Sequence, residues 1–172
     1  MSKGSTWSIW DFHLHTPYSV LNNQFGDPDK SETWERYVSE IERKSTEHRI
    51  AAIGITDYFT IEGYTRLKSF QEKGRLANIF LFPNIEFRVD KLFYRSKSGE
   101  DPHRLNLHIL FSPEVADQIK DRFLSRLEFD FEANPFGSTL RRSLTTENLT
   151  AYGELLKTQH TSFSDSAIKI GY

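Results

Sequence analysis

The chain has 172 residues, of which 37% are apolar, and its 14 Phe, 7 Tyr and 3 Trp supply bulky core material that disordered chains lack. Lys and Arg number 22 against 24 Asp and Glu, so no global basic field draws it onto nucleic acid, and any such contact needs a local patch. The absence of cysteine excludes disulfides, thiolate metal sites and thiol nucleophiles together, and fits a reducing, cytoplasmic setting. No apolar signal segment and no run of 18 apolar residues occurs, which argues against export and membrane insertion.

In chain order, Ile9 to His15 reads as a short strand stopped by Thr16-Pro17, and the turn-rich residues to Ser31 read as a loop. A helix is predicted from Glu32 to Glu47, capped by Ser31, with Trp34, Tyr37, Val38 and Ile41 on one face. Arg49 to Thr56 is apolar almost throughout, as expected of a strand buried on both faces of a parallel sheet. Thr60 is placed to cap a second helix, Ile61 to Lys73, ending at Gly74. A third strand covers Asn78 to Val89 with an interruption at Pro83, a polar excursion covers Asp90 to Asp101, and a fourth strand covers Leu105 to Phe111. Ser112-Pro113 opens a helix to Arg126, Leu127 to Leu144 carries no clear pattern, Thr146 to Gln159 is a last helix, and Asp165 to Tyr172 a last strand. The alternation implies an α/β fold of βα units around a parallel sheet or barrel, in a single domain spanning residues 1–172. A chain that stops inside a strand reads as an N-terminal fragment of a longer polypeptide.

Four polar features fall at the C-terminal ends of predicted strands: His13-Leu14-His15, Thr56-Asp57-Tyr58, Glu86 and His108. In parallel α/β folds that edge collects ligands and catalytic groups. Strand alternation puts His13 and His15 on one face, where two imidazoles reach one divalent metal. Glu86 has two oxygens with which to bridge two metals, and His108 can bind the second. Nitrogen and oxygen donors without sulfur suit zinc, manganese or iron, and such a site polarises a phosphoryl oxygen and supplies hydroxide near neutral pH. Each residue taken alone has an ordinary structural role, as a solvated carboxylate, a hydrogen-bonded core histidine or a turn cap; their coincidence at successive strand ends carries the argument. Arg88, two residues after Glu86, shares its strand face and either holds a phosphate or forms a salt bridge.

The runs DFHLHTPYS, AAIGITDY, FPNIEF and LHILF, in that order between Trp10 and Phe111, resemble the motifs of the PHP (polymerase and histidinol phosphatase) superfamily of metal-dependent phosphoesterases. ITDYFTIEGY and FPNIEFR look most like the PHP domains fused to large ATPases of the SMC or RecN kind, the TrlF-like group. The resemblance implies a distorted (β/α)7 barrel, incomplete here, and about two divalent ions (Mn2+, Zn2+ or Fe2+). It also implies phosphodiester hydrolysis on nucleic acid and a partner ATPase domain or subunit, in a setting that includes anti-phage defence. The chain has no G-x-x-x-x-G-K-[ST] run, so that ATPase lies outside it. Carried over by position, His13, His15, Glu86 and His108 are metal ligands. In the mechanism this suggests, Asp57 is a carboxylate that orients a histidine or a water. Departures are informative. Tyr58 stands where the family has a third-metal histidine, and either contacts a phosphate or packs. Leu21 stands near where another third-metal ligand falls. His160 is the candidate for a later ligand or is an exposed helix end, and no closing Asp-x-His triplet follows His108. These departures keep two alternatives open: a degenerate, non-catalytic interaction module, and a small-molecule phosphatase.

Overall fold

The computed structural model describes residues 7–21, 24–94, 102–132, 139–160, 162 and 164–167. The chain divides into two compact units, Met1–Ala116 and Asp117–Tyr172.

The first unit is a curled four-stranded half-barrel sheet with two helices, in the order β1 (Ile9–Leu14), α1 (Ser31–His48), β2 (Ile50–Tyr58), α2 (Glu62–Glu72), β3 (Phe80–Tyr94) and β4 (Pro102–Leu110). The strands lie in sequence order; β1, β2 and β3 run parallel, as expected of βα units, whereas β4 returns antiparallel to β3. That reversal departs from an all-parallel reading, because residue patterning identifies a strand without fixing its direction. The α/β class is therefore present. β3 runs five residues past Val89, so Asp90 to Tyr94 belong to the strand; residues 95–101 of the expected polar excursion lie outside the described residues. Pro83 does not interrupt β3: it pairs with Ile55, and its carbonyl accepts the Phe111 N–H at 2.9 Å.

One sheet face meets the helices. Ile53, Ile55 and Leu81 pack with Trp34, Tyr37, Val38 and Ile41 of α1 and Tyr64, Leu67 and Phe70 of α2. The i, i+3, i+4, i+7 spacing on α1 is what places its residues in that core. α1 begins at Ser31 itself; Lys30 is the capping residue and makes no side-chain cap bond. The Thr60 hydroxyl accepts the Glu62 N–H at 3.2 Å, although Ile61 holds the cap position of α2. Past that helix Gly74 takes φ 85°, the left-handed turn that glycine tolerates best.

β1 and β2 come unusually close: a Cβ on Gly54 would lie 2.9 Å from the Phe12 backbone. Their register slips between Asp11 and Leu14 at this approach, across Phe12 and His13 and just before His15.

The expected helix to Arg126 is a succession of short turns: Pro113–Val115, Ala116–Gln118 (α3), the wide turn Ile119–Phe123 and Leu124–Arg126. Ile119 alone is buried there, so no continuous apolar face favours one regular helix. The unpatterned stretch holds an antiparallel pair, β5 (Glu128–Glu132) and β6 (Thr139–Ser143). α4 (Thr146–Gln159) is capped by the Thr145 hydroxyl, which accepts the Asn148 N–H at 3.2 Å. Residues 165–167 are not strand, and 168–172 of the expected last strand lie outside the described residues. Among the described residues, no helix is long and apolar enough to cross a membrane.

Candidate metal centre

The parallel pairing of β2 with β3 ends where the chemistry collects. Tyr58 ends β2, Glu86 pairs with it in register on β3, and His13 and His15 flank the end of β1. On β2, Asp57 and Tyr58 necessarily face opposite ways. Tyr58 shares the Glu86 side of the sheet, while Asp57 shares the helix side with Ile53 and Ile55.

Three donor atoms converge. His13 Nε2 and His15 Nε2 are 3.3 Å apart, and Glu86 Oε2 lies 3.4 Å from the first and 3.3 Å from the second. Ligand bonds of about 2.0–2.1 Å at tetrahedral angles set neighbouring donors about 3.3 Å apart, so this near-equilateral triangle has the dimensions of three ligands around one divalent ion. The trio could hold a metal ion, and among the described residues it is the group of histidines and carboxylates that converges in this way. Glu86 is fully buried and His15 nearly so, whereas the His13 side chain is 54% exposed, leaving the centre open on one side. A cavity of about 420 Å³ opens there, lined in part by Trp10, Phe12, His13 and His108. A second cavity, about 640 Å³ between α1 and the β1 and β2 strands, is lined by none of the three donors.

The surrounding contacts orient His15 and Glu86. The Ser19 hydroxyl lies 3.1 Å from His15 Nδ1; an Nδ1–H donating to it leaves the Nε2 lone pair facing the triangle. The His15 ring stacks on Tyr58 at 5.0 Å, and the Tyr37 hydroxyl donates to the His15 carbonyl at 2.6 Å. Burial, opposed by Glu86 and reinforced by His13 and His108, lowers the His15 pKa, which keeps the ring neutral as a ligand must be. The Asn106 amide donates to Glu86 Oε1, so Oε2 is the oxygen turned to the histidines. The Tyr58 hydroxyl is hydrogen-bonded to both Glu86 and Arg88, and burial first, then Glu86, raises its pKa.

His108, paired with Glu86 across β3 and β4, borders the trio without joining it. Its ring lies edge-on to His13 at 4.6 Å, its Nδ1 is 3.4 Å from the Asn84 amide nitrogen, and burial lowers its pKa. Arg88 sits one alternation along β3 from Glu86, against Tyr58. His160 caps the C-terminal end of α4 in the second unit and is exposed. Leu21, at the expected third-metal position, is half-buried.

Asp57 is turned away from the triangle. Its carboxylate accepts the Thr16 N–H at 2.9 Å and the Thr16 hydroxyl at 2.7 Å, and so grips the residue next to His15. Burial pushes its pKa up to about 6, against the downward pull of the two Thr16 hydrogen bonds. Gly63 on α2 makes room for this pair: a Cβ there would run into the Asp57 carboxylate and the Thr16 side chain. Phe59, buried and at φ 42°, turns the chain out of β2 in a conformation that aromatic residues seldom adopt.

Thr16, Ser19, Tyr37, Asn84 and Asn106 are the positions that motif reasoning passed over. Thr16 and Ser19 lay in the quoted run HTPYS. Asn106 stands two residues before His108, and therefore on the same strand face.

No family model, curated protein or solved structure matches the chain.

Proposed function

We propose that the chain is a metal-dependent phosphoesterase whose substrate is a phosphodiester, with nucleic acid the substrate class. The observation that carries the reading is the triangle of His13 Nε2, His15 Nε2 and Glu86 Oε2, with sides of 3.3–3.4 Å, where the parallel pairing of β2 with β3 ends. The reaction class and the nucleic-acid substrate come from the resemblance to PHP domains, as does the expectation of an ATPase region outside this chain and a role in defence; these are associations rather than site chemistry.

His13, His15 and Glu86 would hold the ion. When bound, a divalent ion supplies Lewis-acid polarisation of a phosphoryl oxygen and acidifies water. Arg88, held against Tyr58, offers guanidinium N–H groups to the remaining phosphoryl oxygens. Tyr58 stacks on His15 and fixes the plane of its ring. Asp57 acts through Thr16, holding in place the segment that carries His15.

The test is turnover of labelled single-stranded DNA and RNA, beside a phosphomonoester, with added Mn2+ or Zn2+. Diester cleavage that is abolished by chelation and by Glu86→Gln is the expected result. Cleavage unchanged in Glu86→Gln would refute the mechanism. Hydrolysis confined to the monoester would make the protein a small-molecule phosphatase, and metal binding without turnover a non-catalytic module.

A further inference from the structure

We propose that Trp10, Phe12, Phe82 and Phe80 form a stacking surface for an unpaired base of a single-stranded nucleic acid whose phosphate lies at the cluster of His13, His15 and Glu86. The proposal rests on the phosphodiesterase reading above and deepens it, by naming a strand with free bases as the substrate.

Strand register builds the surface. Trp10 pairs with Ala52 and Ala52 with Phe80, while Phe82 pairs with Gly54, whose missing side chain lets the Phe12 backbone approach. By alternation Ala52, Gly54, Phe80 and Phe82 share the sheet face of Tyr58 and Glu86. Ala52 and Gly54 are too small to hold the rings of β1 and β3 apart, so these rings meet across β2. The centroid of Phe12 lies 5.7 Å from Trp10 and 5.5 Å from Phe82, and Phe82 lies 4.7 Å from Phe80. Phe12 and Phe82 are half-buried, whereas Trp10 is 60% and Phe80 53% exposed.

Continuity and charge select the occupant. The cavity of about 420 Å³ that reaches Trp10 and Phe12 is also bordered by His13 and His108, so a ligand seated at the imidazoles runs onto the rings. Trp10 and His13 are separated by about 10 Å of extended strand, a span that a nucleotide covers between its phosphate and the outer edge of its base. Asp11, whose carboxylate accepts the His13 N–H at 3.0 Å, is the acidic residue lining that cavity. It repels a phosphate from the aromatic end and leaves the imidazole and Arg88 end to the anion. An uncharged, flat base meets no such penalty, and stacking tolerates any base. Paired bases have both faces covered by their neighbours, so the surface selects unpaired strands.

The experiment is binding of a fluorescein-labelled oligothymidylate of about 12 nucleotides to the full chain, read by fluorescence anisotropy in EDTA so that no turnover occurs. An equally labelled abasic strand of the same length keeps the phosphates and removes the bases. The oligothymidylate is expected to bind about 10- to 100-fold more tightly than the abasic strand, as stacking on an aromatic side chain implies, and pairing it with oligoadenylate is expected to remove that advantage. Trp10→Ala, at an exposed position, is expected to lose most of the preference, and Trp10→Phe, which keeps a ring, to retain it. Equal binding of the two strands, equal preference in parent and Trp10→Ala, or no binding at all would overturn the proposal. A dimer that Trp10→Ala dissociates in sedimentation would show that a second copy covers the rings, and would also overturn it. Base-dependent binding without diester cleavage once Mn2+ is supplied would refute the phosphodiesterase reading and leave the stacking surface standing.

Discussion

Replacing Asp57 with Asn isolates the free energy of burying a carboxylate behind the cluster of His13, His15 and Glu86. Asp57 is 1% exposed, and burial lifts its pKa from the ordinary 3.8 to about 6. Between those values the folded protein keeps the proton while the unfolded chain has already lost it. The folded state then binds more protons, so stability falls as pH rises. The contribution is fully present below about pH 4 and is lost as pH climbs through about 6. Each pH unit across that window is worth about 1.4 kcal/mol, giving about 3 kcal/mol in all. An amide at position 57 does not titrate, and its variant lacks this step while also weakening the grip on Thr16. Urea unfolding of both proteins from pH 4 to pH 8 gives two stability curves, and in their difference titrations elsewhere cancel. The variant is expected to lose most at pH 4 and to recover by about 3 kcal/mol, relative to the parent, at pH 8. Parallel curves would refute the claim that Asp57 is a buried carboxylate held at a raised pKa.

Three further perturbations test the packing and the orientation of the ligands. Gly63→Ala drives a methyl group into Asp57 and Thr16, and is expected to cost about 1–3 kcal/mol in urea unfolding, with weakened metal binding because the His15 segment shifts. Ser19→Ala removes the partner of His15 Nδ1; calorimetric titration with Zn2+ should show affinity lowered about 10- to 100-fold in a protein whose fold, by circular dichroism, is unchanged. In the second unit, Gly153→Ala would press against the Ala167 carbonyl and should lower stability by about 1–3 kcal/mol without altering metal affinity.

The legible part of the site was the part that strand patterning controls. The alternation of His13-Leu14-His15, the nearly continuous apolar run into Thr56 and the place of Glu86 toward the end of a predicted strand each follow from reasoning within one segment, and those segments became neighbouring parallel strands. What stayed hidden depends on pairing between segments. Asn106 reaches Glu86 only because β4 runs antiparallel in the register that sets Glu86 opposite His108, and direction leaves no mark in a strand's own residues. Asp57 read as a carboxylate at the site's edge, yet the same alternation that sends Tyr58 to the histidines sends Asp57 to Thr16. The close approach of the two strands beside the slip between Asp11 and Leu14 needs Gly54, a residue of another segment. Helical periodicity likewise did not separate α3 and the turns after it from one continuous helix, because with Ile119 alone buried there the burial does not impose a period.

The central claim is that His13, His15 and Glu86 form one ion-binding unit. Calorimetric titration of the parent protein and of Glu86→Gln with Zn2+ tests it most directly. Saturable binding in the parent that disappears in Glu86→Gln, with the variant still folded, is the predicted result. Equal binding by the two proteins, or none by a folded parent, would contradict it.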